Sequence, residues 1–120
     1  MLPKVNRLCK ADFELIKQQS LLYKINLDFF IVKVYKNYQT NPKAAFIISK
    51  KNISKASHRN LTRRRLKQLF YINRDKIGNY CYIFIIKGGF NIKTLTYENL
   101  SSDFNTFLSK ISKFRDGLGI

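Results

Sequence analysis

At 120 residues, 45% of them hydrophobic and 14% aromatic, the chain is the size of one domain and has the apolar surface to build one modest core, which excludes global disorder. Its 23 basic residues against 7 acidic give a formal charge of +16, which selects polyanionic partners, with nucleic acid ahead of an anionic membrane surface. One histidine and two distant cysteines, Cys9 and Cys81, are too few soft ligands for a zinc site. No run is apolar enough for a signal peptide or membrane span, so the chain reads as cytoplasmic, with both cysteines as reduced, buried small hydrophobes.

In chain order, residues 1–10, with Pro3, Lys4, Arg7 and Lys10, read as an extended basic arm. Asp12 is placed to cap a short helix from Phe13 to about Gln19, with Phe13 and Ile16 on one face. Ser20 to Asp28 reads as connecting chain. Phe29 to Tyr35 (FFIVKVY) is β-branched and aromatic, the composition of a strand. Both its faces are largely apolar: Phe30, Val32 and Val34 on one side, Phe29, Ile31, Lys33 and Tyr35 on the other. Either both are covered, or one is kept for a ligand.

Lys36 to Lys43 has turn composition, which predicts that Ala44 to Ser49 returns as a second strand antiparallel to the first. Ser54 or Ser57 could then cap a helix running to Phe70. On that helix Thr62, Leu66, Leu69 and Phe70 share a stripe that should pack on the sheet. Arg63 and Lys67 border the stripe on one side and Arg65 on the other, while Arg64 points away. Gly78-Asn79 breaks the pattern, Tyr80 to Ile86 (YCYIFII) is a clear strand, and Gly88-Gly89 ends it. Thr96 is an N-cap for a last helix whose buried face is Leu100, Phe104, Phe107, Ile111 and Phe114. Residues 115–120 read as a flexible tail. The sum is one α/β domain of order α-β-β-α-β-α, without repeats or linkers.

Catalytic groups are not gathered anywhere. The seven acids are dispersed, His58 sits among cations with no acid to orient it, and Gly88-Gly89 lacks the further glycines and lysine of a nucleotide loop. The chemistry lies instead in Lys50 to Lys67, KKNISKASHRNLTRRRLK, where eight of eighteen positions are Lys or Arg and none is acidic. A merely solvated helix would interleave acids, and a helix-turn-helix would need a helix where a strand precedes. Binding of structured RNA, with arginines on phosphates, fits best.

At these residues the sequence resembles the protein component of bacterial ribonuclease P. Ser49-Lys50-Lys51, a short loop to Ala56, then Arg59-Asn60 and Arg63-Arg64-Arg65-Leu66-Lys67 match the family's central motif. Leu2-Pro3-Lys4, Asn6-Arg7-Leu8 and Asp12-Phe13 resemble its start, and Ile85-Ile86-Lys87-Gly88 with Leu95-Thr96-Tyr97-Glu98-Asn99-Leu100 its last strand and helix. Leu61 departs from the motif, standing where the family has its second arginine. Thr62 replaces an aliphatic, and Lys17 an aromatic found in many members.

The resemblance implies a two-layer α/β (α+β) sandwich similar to the second domain of ribosomal protein S5, with a left-handed β-α-β crossover. It implies an RNA-binding subunit of an endoribonuclease whose chemistry is carried by the RNA, with magnesium held by that RNA and no cofactor on the protein. The partners would be the catalytic RNA and precursor tRNA, with no membrane and no small-molecule substrate. Lys50, Lys51, Lys55, Arg59, Asn60, Arg63, Arg64 and Arg65 are the expected contacts to the RNA subunit. Positions matching the family's cleft for the single-stranded 5′ leader are Phe13, Lys17, Phe30, Val32, Ile47, Arg63, Lys67 and Phe114. The alternative from another class is a small basic ribosomal-type structural protein.

Overall fold

Valine, isoleucine, tyrosine and phenylalanine fill two seven-residue stretches that pair antiparallel at the centre of a four-stranded sheet. The computed structural model describes the backbone of residues 2–117 and the side chains of residues 2–114. Its elements are α1 (Lys10–Lys17), β1 (Tyr23–Asn26), β2 (Phe30–Lys36), β3 (Lys43–Ile47), α2 (Ala56–Ile72), β4 (Tyr80–Ile86) and α3 (Tyr97–Gly117). The sheet order is β1-β2-β4-β3, with β3 parallel to β4 and the other pairs antiparallel.

The sheet departs from the sequence expectation at two points. The connecting chain from Ser20 to Asp28 contains a strand, β1, whose four residues are too few to show an alternating pattern. Its one buried side chain, Ile25, lies opposite Val32. The second departure concerns pairing. β3 does run opposite to β2 but does not touch it, because β4 lies between them. β4 is buried on both faces (Tyr82, Phe84 and Ile86 on one, Cys81 and Ile83 on the other), and a strand apolar all round belongs in a sheet's interior.

Helices α2 and α3 cover one face of the sheet. Phe84 sits at the centre of this layer, with the rings of Phe30, Phe46, Phe70, Phe104 and Phe107 at centroid distances of 5.8, 5.1, 6.0, 5.8 and 5.5 Å. Helix α1 covers part of the other face, where Ile16 packs with Cys81 and Ile83, flanked by Leu8, Phe13, Tyr35 and Ile85. The fold is thus an α+β sandwich with a partial third layer.

The helix ends show how the sequence sets them. Asp12 does not cap α1. The cap is Cys9, and Asp12, one turn in, accepts the Cys9 N–H (2.9 Å) and the Lys43 ammonium (3.0 Å). Cys9 is accordingly exposed at the helix start rather than buried, whereas Cys81 is buried. Neither Ser54 nor Ser57 caps α2, which begins after Lys55 without a side-chain cap. Thr96 does cap α3, its Oγ1 accepting the Asn99 N–H at 3.2 Å. The amino-terminal arm is not extended throughout. It makes a 3-10 turn at Lys4–Asn6, buries Leu2, and docks on β3 where the Leu8 N–H donates to the Ala44 carbonyl (3.1 Å). That docking shields an edge strand that would otherwise be open to pairing. Of the tail expected at 115–120, the backbone of 115–117 continues α3, and 118–120 lie outside the described residues.

Candidate nucleic-acid interface

The basic segment begins where β3 ends. A turn there, in which the Ser49 carbonyl accepts the N–H groups of Asn52 and Ile53, buries Ile53 and leaves Lys50, Lys51 and Lys55 exposed. Asn52 locks the turn to β4 by donating to the Ile86 carbonyl (3.0 Å). Gly88 leaves room for it, because a Cβ there would lie 2.5 Å from the Asn52 Oδ1 and displace the locking side chain. Arg59 reaches back from the first turn of α2 and donates to the Ile53 and Ser54 carbonyls (2.9 and 2.7 Å). One predicted RNA contact thus also fixes the shape of the loop.

Along α2, Thr62, Leu66, Leu69 and Phe70 form the buried stripe that the periodicity predicts. The cations split around it. Arg65, on the flank toward the start of α3, donates to the Leu95 carbonyl (2.8 Å). Arg63 and Lys67 lie one turn apart on the other flank, half-buried, and Arg63 accepts support from the Asn60 side-chain oxygen (3.1 Å) by donating to it. Asn60 and Arg64 are exposed beside them. Among the described residues there are two ion pairs, Lys17–Glu14 and Lys43–Asp12, and neither involves α2.

This concentration of unneutralised charge is felt at Lys67. Partial burial pushes its pKa below the ordinary lysine value, and repulsion from Arg63 and Arg7 pushes it the same way. Arg7 bridges to Ala44 at the start of β3, so the Arg63–Lys67 flank runs beside the β3 edge of the sheet. Leu61, at the motif's departure, is half-buried.

Beside that flank lies the sheet face that α1 only partly covers. Strand register sets its side chains in cross-strand rows: Ile31, Ile85 and Ile47, then Lys33, Ile83 and Ala45, then Tyr35, Cys81 and Lys43. Helix α1 seats Ile16 over Cys81 and Ile83. The Ile31 row is left more open, with Ile47 44% exposed.

The predicted cleft residues therefore divide. Phe13, Ile47, Arg63 and Lys67 are half-buried or exposed, and Lys17, exposed one turn beyond Phe13, pairs with Glu14 at 3.6 Å. Phe30 and Val32, each 0% exposed, are core under α2 and α3 and line no cleft. Phe114 belongs to that same opposite layer, stacked on Tyr23 at 4.6 Å, and is also removed from the set. The open face instead carries Ile31 and Lys33, the neighbours of Phe30 and Val32 in sequence, together with Ile85, and Arg7 stands at its β3 edge. A signal was present: a lysine amid an apolar strand marks the face that meets water, and Lys33 alternates with Val32 and Val34.

Among the described residues no three His, Cys, Asp or Glu side chains are grouped to hold a metal, and Asp12 and Asp103 are engaged internally, by Lys43 and by the Phe29 N–H (2.7 Å). No helix is long and apolar enough to cross a membrane among the described residues.

The chain is similar to ribonuclease P proteins. A family model described as Ribonuclease P matches residues 2–112. The ribonuclease P protein component of Pseudoalteromonas translucida is 27% identical over 85 residues, a span that is 71% of this chain and 59% of that relative's length. Two solved structures share the fold. The RNase P protein of Staphylococcus aureus gives a TM-score of 0.72 at 22% identity, covering 92% of this chain and 98% of that one. That of Thermotoga maritima gives 0.70 at 20% identity, covering 88% and 96%. The family match extends across the docked arm, the lysine-rich loop, the basic helix and the last strand just described, and the chain belongs to the ribonuclease P protein family.

Proposed function

We propose that this chain is the RNA-binding subunit of ribonuclease P, aiding removal of the 5′ leader from precursor tRNA while the RNA subunit carries the chemistry. The observation that carries the reading is the α2 flank. Arg63, Arg64 and Lys67 are held together without an acid among the described residues, and Lys67 is destabilised as a cation until an anion arrives. A phosphate backbone supplies that anion. Lys50, Lys51, Lys55 and Asn60 extend the same surface into the loop, and Arg59 and Arg65 bring remaining guanidinium donors to it.

The open sheet face is the leader's seat in this reading. Ile31, Ile47 and Ile85 offer an apolar floor, Phe13, Lys17 and Lys33 one margin, and Arg63 and Lys67 a cationic wall. Single strands bind where apolar platforms lie beside cations, and an aliphatic floor reads little base identity. Magnesium, in this reading, is bound by the RNA. Among the described residues no carboxylates are grouped to hold such an ion. The parallel β3-α2-β4 unit is the crossover for which the family resemblance implies a left hand, and the two free thiols suit the cytoplasm.

Reconstitution tests this. The purified chain alone should leave precursor tRNA intact, and should stimulate cleavage by a bacterial ribonuclease P RNA at limiting magnesium. RNA binding without stimulation would place the chain with structural ribosomal-type proteins. Cleavage by the chain alone would overturn the division of labour.

A further inference from the structure

Between the loop that enters α2 (residues 49–55) and the loop that leaves β4 (residues 87–95) is a hollow bounded by Asn52, Ile53, Lys55, His58, Phe90 and Ile92. Both walls are held in place. Asn52 ties the first loop to β4, and the second closes on itself through Asn91, whose side chain accepts the Lys93 N–H (3.0 Å) and whose carbonyl accepts the Thr94 hydroxyl (2.6 Å). Two arginines of α2 then clamp the pair, Arg59 on the Ile53 and Ser54 carbonyls and Arg65 on the Leu95 carbonyl. Phe90 rests against Phe29 with ring centroids 5.0 Å apart, yet keeps 36% of its surface exposed. The two loops carry Lys50, Lys51, Lys55, Lys87 and Lys93 and no carboxylate.

An exposed aromatic in a hollow lined by Lys55 and His58, between loops that carry further lysines and no carboxylate, has the chemistry of a nucleotide seat. Bases of any identity stack on an aromatic face, and the flanking phosphates are drawn to the cations. We propose that this hollow accepts one unstacked base of the RNA partner, with Phe90 as its platform and Lys55 and His58 beside the adjoining phosphate. The proposal rests on the RNA-binding reading above and adds a base contact, where the α2 flank supplies contacts to the backbone only. It also explains why Arg59 and Arg65 bond to loop carbonyls when a purely electrostatic ridge would leave them free.

The test is binding of the full chain to a bacterial ribonuclease P RNA at fixed salt. Phe90→Leu keeps an apolar seat on Phe29 but removes the aromatic face, and should weaken binding roughly 5- to 100-fold with the salt slope unchanged. Phe90→Trp should restore it. Lys55→Ala should instead flatten the salt slope by about one. Tight wild-type binding that Phe90→Leu leaves unaltered would overturn the hollow while leaving the RNA-binding reading intact. A wild-type chain that does not bind the RNA would overturn both. Should thermal melting show Phe90→Leu to be unfolded, photocrosslinking of the wild-type chain to RNA carrying 4-thiouridine decides the matter. Adducts within residues 87–95 support the seat, and adducts confined to other segments contradict it.

Discussion

Asp12 and Lys43 form a buried ion pair, 3.0 Å apart, that fastens α1 to the start of β3. Burial alone would push the Asp12 carboxyl up, but the Cys9 N–H and the Lys43 ammonium outweigh it and hold the carboxyl below its ordinary value of 3.8. A carboxyl depressed on folding contributes stability that is fully present above 3.8 and is lost as pH falls through the lower folded value. Denaturant unfolding across the acid range should therefore show a loss of stability below that point, and the loss should be smaller in Asp12→Asn. At neutral pH, Lys43→Ala should cost about 3–5 kcal/mol, because it strands a buried carboxylate. Equal stability of wild type and Lys43→Ala would show that the pair does not fasten the two elements. Cys81 lies beside the same pair and shows the opposite balance. Burial, and then the Asp12 charge, push its thiol up to about 11, so it is inert packing rather than a redox group.

At the scale of elements, what the sequence discloses depends on how local the cause is. Helices α2 and α3 were legible because their apolar stripes repeat over several turns and because Thr96 carries its own cap. Strand β4 was legible as an unbroken apolar run. The pairing of β3 was not, since β4, which separates it from β2, lies more than thirty residues further along the chain. The face of β2 left partly open beside α1 was not either. An alternating strand offers two faces one residue apart, and choosing Phe30 over Ile31 exchanges the core face for the open one. The distinction is measurable. Phe30→Ala should cost about 3–5 kcal/mol of stability, whereas Ile47→Ala should change it by less than about 0.5 kcal/mol and lower affinity for a single-stranded leader. A stable Phe30→Ala chain with impaired leader binding would return Phe30 to the cleft.

For the molecule as a whole, the +16 charge is arranged rather than merely accumulated. One sheet face and two helices supply the core around Phe84, and this lets α2 carry cations on the flanks of a fully buried stripe. The unpaired flank lies beside the partly open sheet face, and the clamped loops lie against the first turn and the opposite flank of the same helix. Membership of the family was legible from the loop and helix motif, because those residue types and spacings are local. The hollow at Phe90 was not, since it exists only where two loops far apart in sequence are brought together.

In the proposed function the α2 flank binds RNA by neutralising phosphates. The most direct test of this is the dissociation constant for a bacterial ribonuclease P RNA, measured against salt concentration, for wild type and for Arg63→Ala combined with Arg64→Ala. If the two arginines each neutralise a phosphate, the double variant binds more weakly and its plot of log affinity against log salt is shallower by about two. A double variant with wild-type affinity and an unchanged slope would contradict it.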